Sequence, residues 1–250
     1  MQTRLKILEP NNPFMTLEIC AANFQSAIAA MEGGAHRIEL CENLSEGGTT
    51  PSLGMIRLLK RRLNIPIMVL IRPRGGDFCY QPDELAAMLE DIHVCKSEGV
   101  EGVVFGALAP DGTIDTDACC RMLEAAEGME TVFHRAFDVV SDGMKALETL
   151  VHLGFTRILT SGLAHTAFDG IPVLAHLIQE AQERITILPG GGVTSKNALD
   201  IVRKTGATEL HASLRKTIER TAHGVTSSWM ETNIEEVRRL LKITENASKI

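Results

Sequence analysis

The sequence predicts an α/β fold, a TIM-type (β/α)8 barrel, on three observations. Short apolar strands alternate with amphipathic helical patterns from about residue 15 onward, the connections between them are short, and four helix-to-strand junctions share one pattern. Those junctions are Gly34-Ala35-His36-Arg37-Ile38, Gly99-Val100-Glu101-Gly102-Val103, Gly154-Phe155-Thr156-Arg157-Ile158 and Gly206-Ala207-Thr208-Glu209-Leu210. In each, a glycine that can end a helix is followed by an apolar residue, two further residues and an apolar strand residue. An open doubly wound sheet is the alternative, and it is disfavoured because no G-x-G-x-x-G follows the first strand.

Strands are expected near 15–20, 36–41, 66–71, 102–107, 130–135, 157–161, 185–189 and 209–213. The helices between them carry start and stop signals. Asn23 caps the first, which ends at Gly33-Gly34. Thr50 caps the second, with Pro51 in its first turn. Pro82, Asp83 and Glu84 open the third, and Gly99 closes it. Asp115 or Thr116 starts the fourth, Ser141 caps the fifth, and Asp169 starts the sixth. Ser195 caps the seventh. Asn233 starts the last, where Ile234, Val237, Leu240 and Leu241 form an apolar stripe. The chain of 250 residues then reads as a short N-terminal extension, 1–14, and one barrel domain, 15–250.

The net charge of −7 argues against nucleic acid and against an anionic membrane as partners, since both favour a basic face. No apolar run has the length of a membrane span, and the first residues lack the apolar core of a signal peptide, so the cytoplasm is the expected compartment. The six cysteines follow no C-x-x-C or zinc-finger spacing, and a disulfide framework is not expected. Cys95, Cys119 and Cys120 read as helix packing residues, and Cys79 as a loop residue open to solvent.

Alternate residues of a barrel strand point inward. Leu17 and Ile19 suit the helix layer, which turns Glu18 and Cys20 inward; the same logic turns Glu39 and Cys41 inward on the next strand. Two Glu-x-Cys pairs are thus expected side by side at one depth. Cations are required to answer two buried carboxylates. Arg72 and Arg74 after the third strand share a parity and are expected at the mouth. His134 and His211 are turned inward at the ends of the fifth and eighth strands, where barrel active sites are built and where imidazole suits proton transfer at neutral pH. Asp77 and Asp138 are candidates to orient His134. Gly190, Gly191 and Gly192, leading to a helix expected at Ser195, suit an anion such as phosphate, with Arg74, Arg135 and Ser161 as further anion contacts. An internal salt-bridge network is the alternative for Glu18, Glu39 and Arg72. Cys20 and Cys41 either hold Cu(I) linearly, as soft thiolate ligands, or pack as small hydrophobes, which spacing alone favours. No organic cofactor is indicated, and no His-x-His or His-Glu-x-x-His pattern marks a zinc site.

In these stretches the chain resembles the CutC family, named for copper homeostasis. The resemblance is carried by Leu17-Glu18-Ile19-Cys20, Arg37-Ile38-Glu39-Leu40-Cys41 on to Ser52, Ile71-Arg72-Pro73-Arg74-Gly75-Gly76-Asp77-Phe78, Phe133-His134-Arg135-Ala136-Phe137-Asp138, Leu159-Thr160-Ser161-Gly162 and the three glycines. It covers roughly residues 15–215. It implies a TIM-type barrel, a cytoplasmic homo-oligomer, most often a dimer, and Cu(I) bound by Cys20 and Cys41. Residues 216–232 depart from the family's usual segment and are expected as a loop bordering the mouth. Two functions follow: a copper-handling protein, or an enzyme (lyase, isomerase or hydrolase) acting on a small anionic or phosphorylated metabolite. In the second, His134 is the general acid or base and Glu18 or Glu39 its partner.

Overall fold

In the computed structural model, which describes residues 15–247, eight strands and eight helices alternate around a nearly closed barrel. The expected extension 1–14 lies outside the described residues. The strands are β1 (Thr16–Ala21), β2 (Arg37–Leu40), β3 (Ile67–Leu70), β4 (Gly102–Phe105), β5 (Glu130–Phe133), β6 (Arg157–Thr160), β7 (Thr186–Pro189) and β8 (Glu209–Ala212). All their ladders are parallel, in the order β7-β6-β5-β4-β3-β2-β1-β8, and the two ends, β7 and β8, lie against each other.

The helices are α1 (Phe24–Gly33), α2 (Leu53–Lys60), α3 (Pro82–Ser97), α4 (Thr116–Ala125), α5 (Gly143–Leu153), α6 (Ile171–Ala181), α7 (Ala198–Thr205) and α8 (Ile234–Ala247). Asn23 caps α1 by accepting from Ser26 N, and Asp115 caps α4 in the same way. The junction glycines Gly34 and Gly154 hold left-handed φ values of 95° and 87°, as the repeated junction requires. Four expected starts move. Ser52, not Thr50, caps α2, because Thr50 instead accepts from Arg72 N and ties the loop to the end of β3. Asp142, not Ser141, caps α5, its carboxylate taking the amides of Met144 and Lys145. α6 begins after Gly170, and α7 after Asn197, while Ser195 donates to Glu236.

The alternation inferred from the strands holds. Leu17, Ile19, Ile38 and Leu40 enter the layer between sheet and helices. Cys20, Cys41, Met68, Leu70, Val104 and Leu159 fill the barrel interior. Val237, Leu240 and Leu241 of α8 are buried, and α8 lies so close to α1 that a Cβ on Gly33 would meet Val237 at 2.7 Å. Cys95 and Cys119 are buried as packing residues, but Cys120 faces solvent on the other side of α4 and Cys79 is half-buried.

Residues 216–232 are not an open loop. They belong to a hairpin of β9 (Arg215–Ala222) and β10 (Val225–Thr232), which pair only with each other. Both runs mix β-branched and polar residues, and His223 and Gly224 at positive φ between them make the two-residue turn of an ordinary tight hairpin. Its base is held to α1 through Asn23 Nδ2 to Met230 O (3.0 Å) and Thr232 N to Ser26 Oγ (3.1 Å). The rest is exposed on both faces.

Candidate functional site

The inward residues of β1, β2 and β8 meet, but not in the row their spacing suggested. Barrel shear offsets neighbouring strands, so Cys20 stands opposite Glu39, and Glu18 opposite both Arg37 and His211. The two Glu-x-Cys pairs are therefore two residues out of step, and the two carboxylates are not side by side. Glu18 lies deeper, where Arg37 Nε donates to Glu18 Oε2 at 2.5 Å and also pairs with Glu209. Arg157 continues the chain from Glu209 (2.9 Å) to Glu130. This network, linking β1, β2, β8, β6 and β5, closes the N-terminal end of the barrel, so Glu18 is part of an ion network rather than a rim carboxylate. Burial raises the Glu18 pKa, but Arg37 and His211 outweigh it and hold the group at about 2.

Above this layer, Glu18 Oε1 lies 2.6 Å from His211 Nδ1. The other side of the imidazole is left to Cys20 and Glu39, and the three offer ligand atoms within 4.8 Å of one another. Burial lowers the His211 pKa, yet Glu39, Cys20 and Glu18 raise it well above its ordinary value. The Glu39 pKa is raised, mainly by burial. Cys20 Sγ and Cys41 Sγ stand 3.6 Å apart, and the hydrogen bond with Cys41 together with burial raises the Cys20 pKa well above the usual thiol range. A linear site would need the sulfurs about 4.6 Å apart, taking metal–thiolate bonds of about 2.3 Å. The observed spacing suits a bent pair with a third ligand, and His211 is beside it. No sequence motif marked this cluster, because its members come from three strands.

The mouth above holds a cavity of about 290 Å³. Cys20, Glu39 and His211 line its floor, and Arg72, His134 and Arg135 its wall. Arg72 is 5 % exposed and works first as a clamp: Nη1 donates to the carbonyls of Glu46 and Gly48, Nη2 to that of Gly76, and the guanidinium lies 4.8 Å from the centre of the Phe78 ring. Gly47 allows this approach, since a Cβ there would stand 2.9 Å from Arg72 Nη1. Arg74 does not join it at the mouth. Its guanidinium is occupied by Glu84 (2.5 Å), Asp77 (3.1 Å) and carbonyls of its own loop.

His134 is 5 % exposed, and Nδ1 accepts from Ala136 N at 3.2 Å. Neither Asp77 nor Asp138 orients it. Asp77 bonds Arg74 and the amide of Cys79. Asp138 takes Arg135 Nε (2.7 Å), Thr160 Oγ1 and the amide of Ser161. Burial, reinforced by Arg72, drops the His134 pKa to about 3, so the ring is held neutral at physiological pH, against the charged form that a general acid there would use. Its Nδ1 is committed as an acceptor and its Nε2 makes no hydrogen bond among the described residues.

Ser161 accepts from Arg135 and donates to Ala164 O, which fixes the rim of β6. Gly191 and Gly192 line the cavity, whereas Gly190 packs against Leu159 and His211. α7 starts at Ala198 rather than at Ser195, and no residue from Val193 to Ala198 joins Gly191 and Gly192 in the lining. Phe78, Ser213 and Arg215 also line the cavity and were missed. A signal for two of them existed: the inward alternation Glu209, His211 continues through Ser213 to Arg215.

A family model described as the CutC family matches residues 15–216. The chain is 49 % identical over 201 residues to a human protein named copper homeostasis protein cutC homolog, covering 80 % of this chain and 74 % of that protein. It is 46 % identical over 200 residues to a CutC family protein of Treponema denticola, covering 80 % and 81 %. The crystal structure of a CutC from Streptococcus agalactiae superposes with a TM-score of 0.76 at 40 % identity, over 79 % of this chain and 98 % of that one. A thiamine phosphate pyrophosphorylase from Pyrococcus furiosus shares the barrel alone, with a TM-score of 0.60 at 15 % identity. With the family's model spanning the barrel and its relatives this similar across most of their length, the chain belongs to the CutC family of copper homeostasis proteins.

Proposed function

We propose that this protein binds Cu(I) through Cys20 and Cys41 and handles copper in the cytoplasm. The observation that carries the reading is the thiol pair, 3.6 Å apart, with a buried imidazole beside it. Thiolates are soft ligands and select Cu(I) over harder ions. Cys20 lines the cavity while Cys41 lies behind it, so the metal enters from the mouth and meets Cys20 first. All six cysteines are free thiols, which suits a reducing compartment. Anaerobic titration against a chromogenic Cu(I) chelator tests the site. Wild type is expected to take one equivalent, and Cys20→Ser and Cys41→Ser each to lose at least about tenfold in affinity, a difference of about 1.4 kcal/mol. Unchanged affinity in both variants rules the thiol pair out.

A second reading, catalysis on a small anionic metabolite, has its own observation in support. The same cavity gathers Arg72, Arg135 and Arg215 around Glu39 and His211. A two-thiolate metal site has no use for three guanidinium groups. Glu39 and His211, whose pKa values are both raised, are then the acid–base pair. Mass-spectrometric profiling of metabolite pools incubated with wild type and with Glu39→Gln tests it. Depletion of a compound by wild type only is expected, and no depletion by wild type defeats the reading.

A further inference from the structure

We infer that the mouth cavity binds a small organic carboxylate, with its acid group on His134 Nε2 and the Arg72 side and its carbon body against Leu44, Leu70 and Leu159. The inference names the ligand class for the second reading and needs only that reading's bound anion, not turnover.

Among the described residues, three buried polar atoms along this part of the molecule form no hydrogen bond: Arg72 Nε, Tyr80 Oη and His134 Nε2. Tyr80 interacts with Arg72, so a small shift lets those two satisfy each other. His134 has no such neighbour. Its ring is bounded by Phe78 (4.8 Å between centroids), Phe133 (6.0 Å) and the positive field of Arg72, none of which accepts a hydrogen bond well. Nδ1 is committed as an acceptor, which places the proton on Nε2. A buried N–H with no acceptor is costly, and the ring that carries it lines the cavity. A ligand acceptor removes that cost.

The surroundings select the acceptor. Arg72 is buried in the wall, Arg215 and Arg135, the latter paired with Asp138, stand at the rim, and Glu39 is the one carboxylate in the lining, so the mouth favours negative charge on the Arg72 side. The donors are side chains on the β3 and β5 side, not amides of a helix terminus, and no residue from Val193 to Ala198 joins the lining. That arrangement suits a planar acid group presented to guanidinium and imidazole edges. Leu44, Leu70, Leu159 and Phe78 supply an apolar wall for a carbon body. The volume of about 290 Å³ sits at the lower end for ligand sites and limits the occupant to a small metabolite.

Isothermal titration of the reduced full-length chain, with a chelator present to exclude metal, tests the inference. The probes are benzoate, cyclohexanecarboxylate, the neutral isostere benzamide, phenyl phosphate and inorganic phosphate. Benzoate and cyclohexanecarboxylate are expected to bind, benzamide at least about tenfold more weakly, and His134→Phe to weaken both acids about tenfold. Arg72→Gln also frees three backbone carbonyls, so the charge is tested with the exposed Arg215→Gln, expected to weaken benzoate a few-fold. No heat from either acid up to roughly 10 mM overturns the inference. So does equal binding of benzamide, benzoate affinity unchanged in His134→Phe, or tighter binding of phenyl phosphate or inorganic phosphate than of benzoate. Binding without any turnover leaves this inference standing while the catalytic reading falls.

Discussion

His134 shows how far one residue's environment can reverse its expected chemistry. At a strand end, histidine reads as a proton-transfer group, but full burial beside Arg72 drops its pKa from 6.5 to about 3. The consequence is measurable in stability. The unfolded chain binds a proton on this histidine below pH 6.5 while the folded chain does not, so the contribution is fully present above pH 6.5 and is lost as pH falls from 6.5 toward 3. Its size is about 1.4 kcal/mol per pH unit within that window, or about 2 kcal/mol between pH 7 and pH 5. Urea unfolding of wild type and His134→Gln across that range is expected to show a shallower decline in the variant. Parallel declines contradict the buried neutral ring. The positions of Glu18, Cys20, Glu39 and Cys41 on inward strand faces were readable from alternation. Their relative heights were not, because shear is a property of the closed sheet and leaves no mark on either strand.

At the scale of elements, the barrel strands and helices follow from local pattern, and the helix starts moved by a few residues where a better-placed acceptor took the cap. Asp142 over Ser141 is a stronger acceptor winning locally, whereas Thr50 yielded to Ser52 because the end of β3 claimed it. The β9–β10 hairpin is a different matter. An isolated two-stranded ribbon is marginal in water, yet this one extends eight residues per strand with Val225, Trp229 and Met230 exposed. The homo-oligomer implied by the family resemblance is expected to cover these side chains with a second copy of the chain. Trp229 is the chain's single tryptophan, so its fluorescence reports on the hairpin directly. Emission is expected to shift to the blue as concentration rises through the dimerisation range, in step with the mass from sedimentation equilibrium. Val225→Ser with Met230→Ser is expected to shift the equilibrium toward monomer. A monomer mass at every concentration defeats the expectation.

For the whole molecule, the ion network at the N-terminal end does work that hydrogen-bonded ladders leave undone. The ladder order ends at β7 and β8, and Arg157 of β6 reaches across to Glu209 of β8, which Arg37 of β2 holds from the other side. Arg37 is 5 % exposed. Arg37→Met is expected to cost about 3 kcal/mol, since it takes from buried Glu18 and half-buried Glu209 the cation they share and leaves them only His211 and Arg157. Chemical denaturation measures this, and a loss under about 1 kcal/mol means that the network is dispensable. Replacing the charged groups together with apolar residues should cost less, because the penalty lies in the unpaired charge.

The sequence by itself determined the barrel, the inward sense of the residues that reach its mouth, the junction glycines and part of the cavity: eight of its sixteen lining residues were named from alternation and position. These are local properties, set by a period of two along a strand and by the chemistry of helix ends. Only the tertiary structure decided which of those residues meet. It placed His211 against Cys20 and Glu39, sent Glu18 down into the ion network, turned Arg74 to Glu84, and left His134 Nε2 without an acceptor among the described residues. Register between strands, competition for hydrogen-bond partners and the field inside the barrel depend on the whole closed sheet, so no stretch of chain encodes them alone.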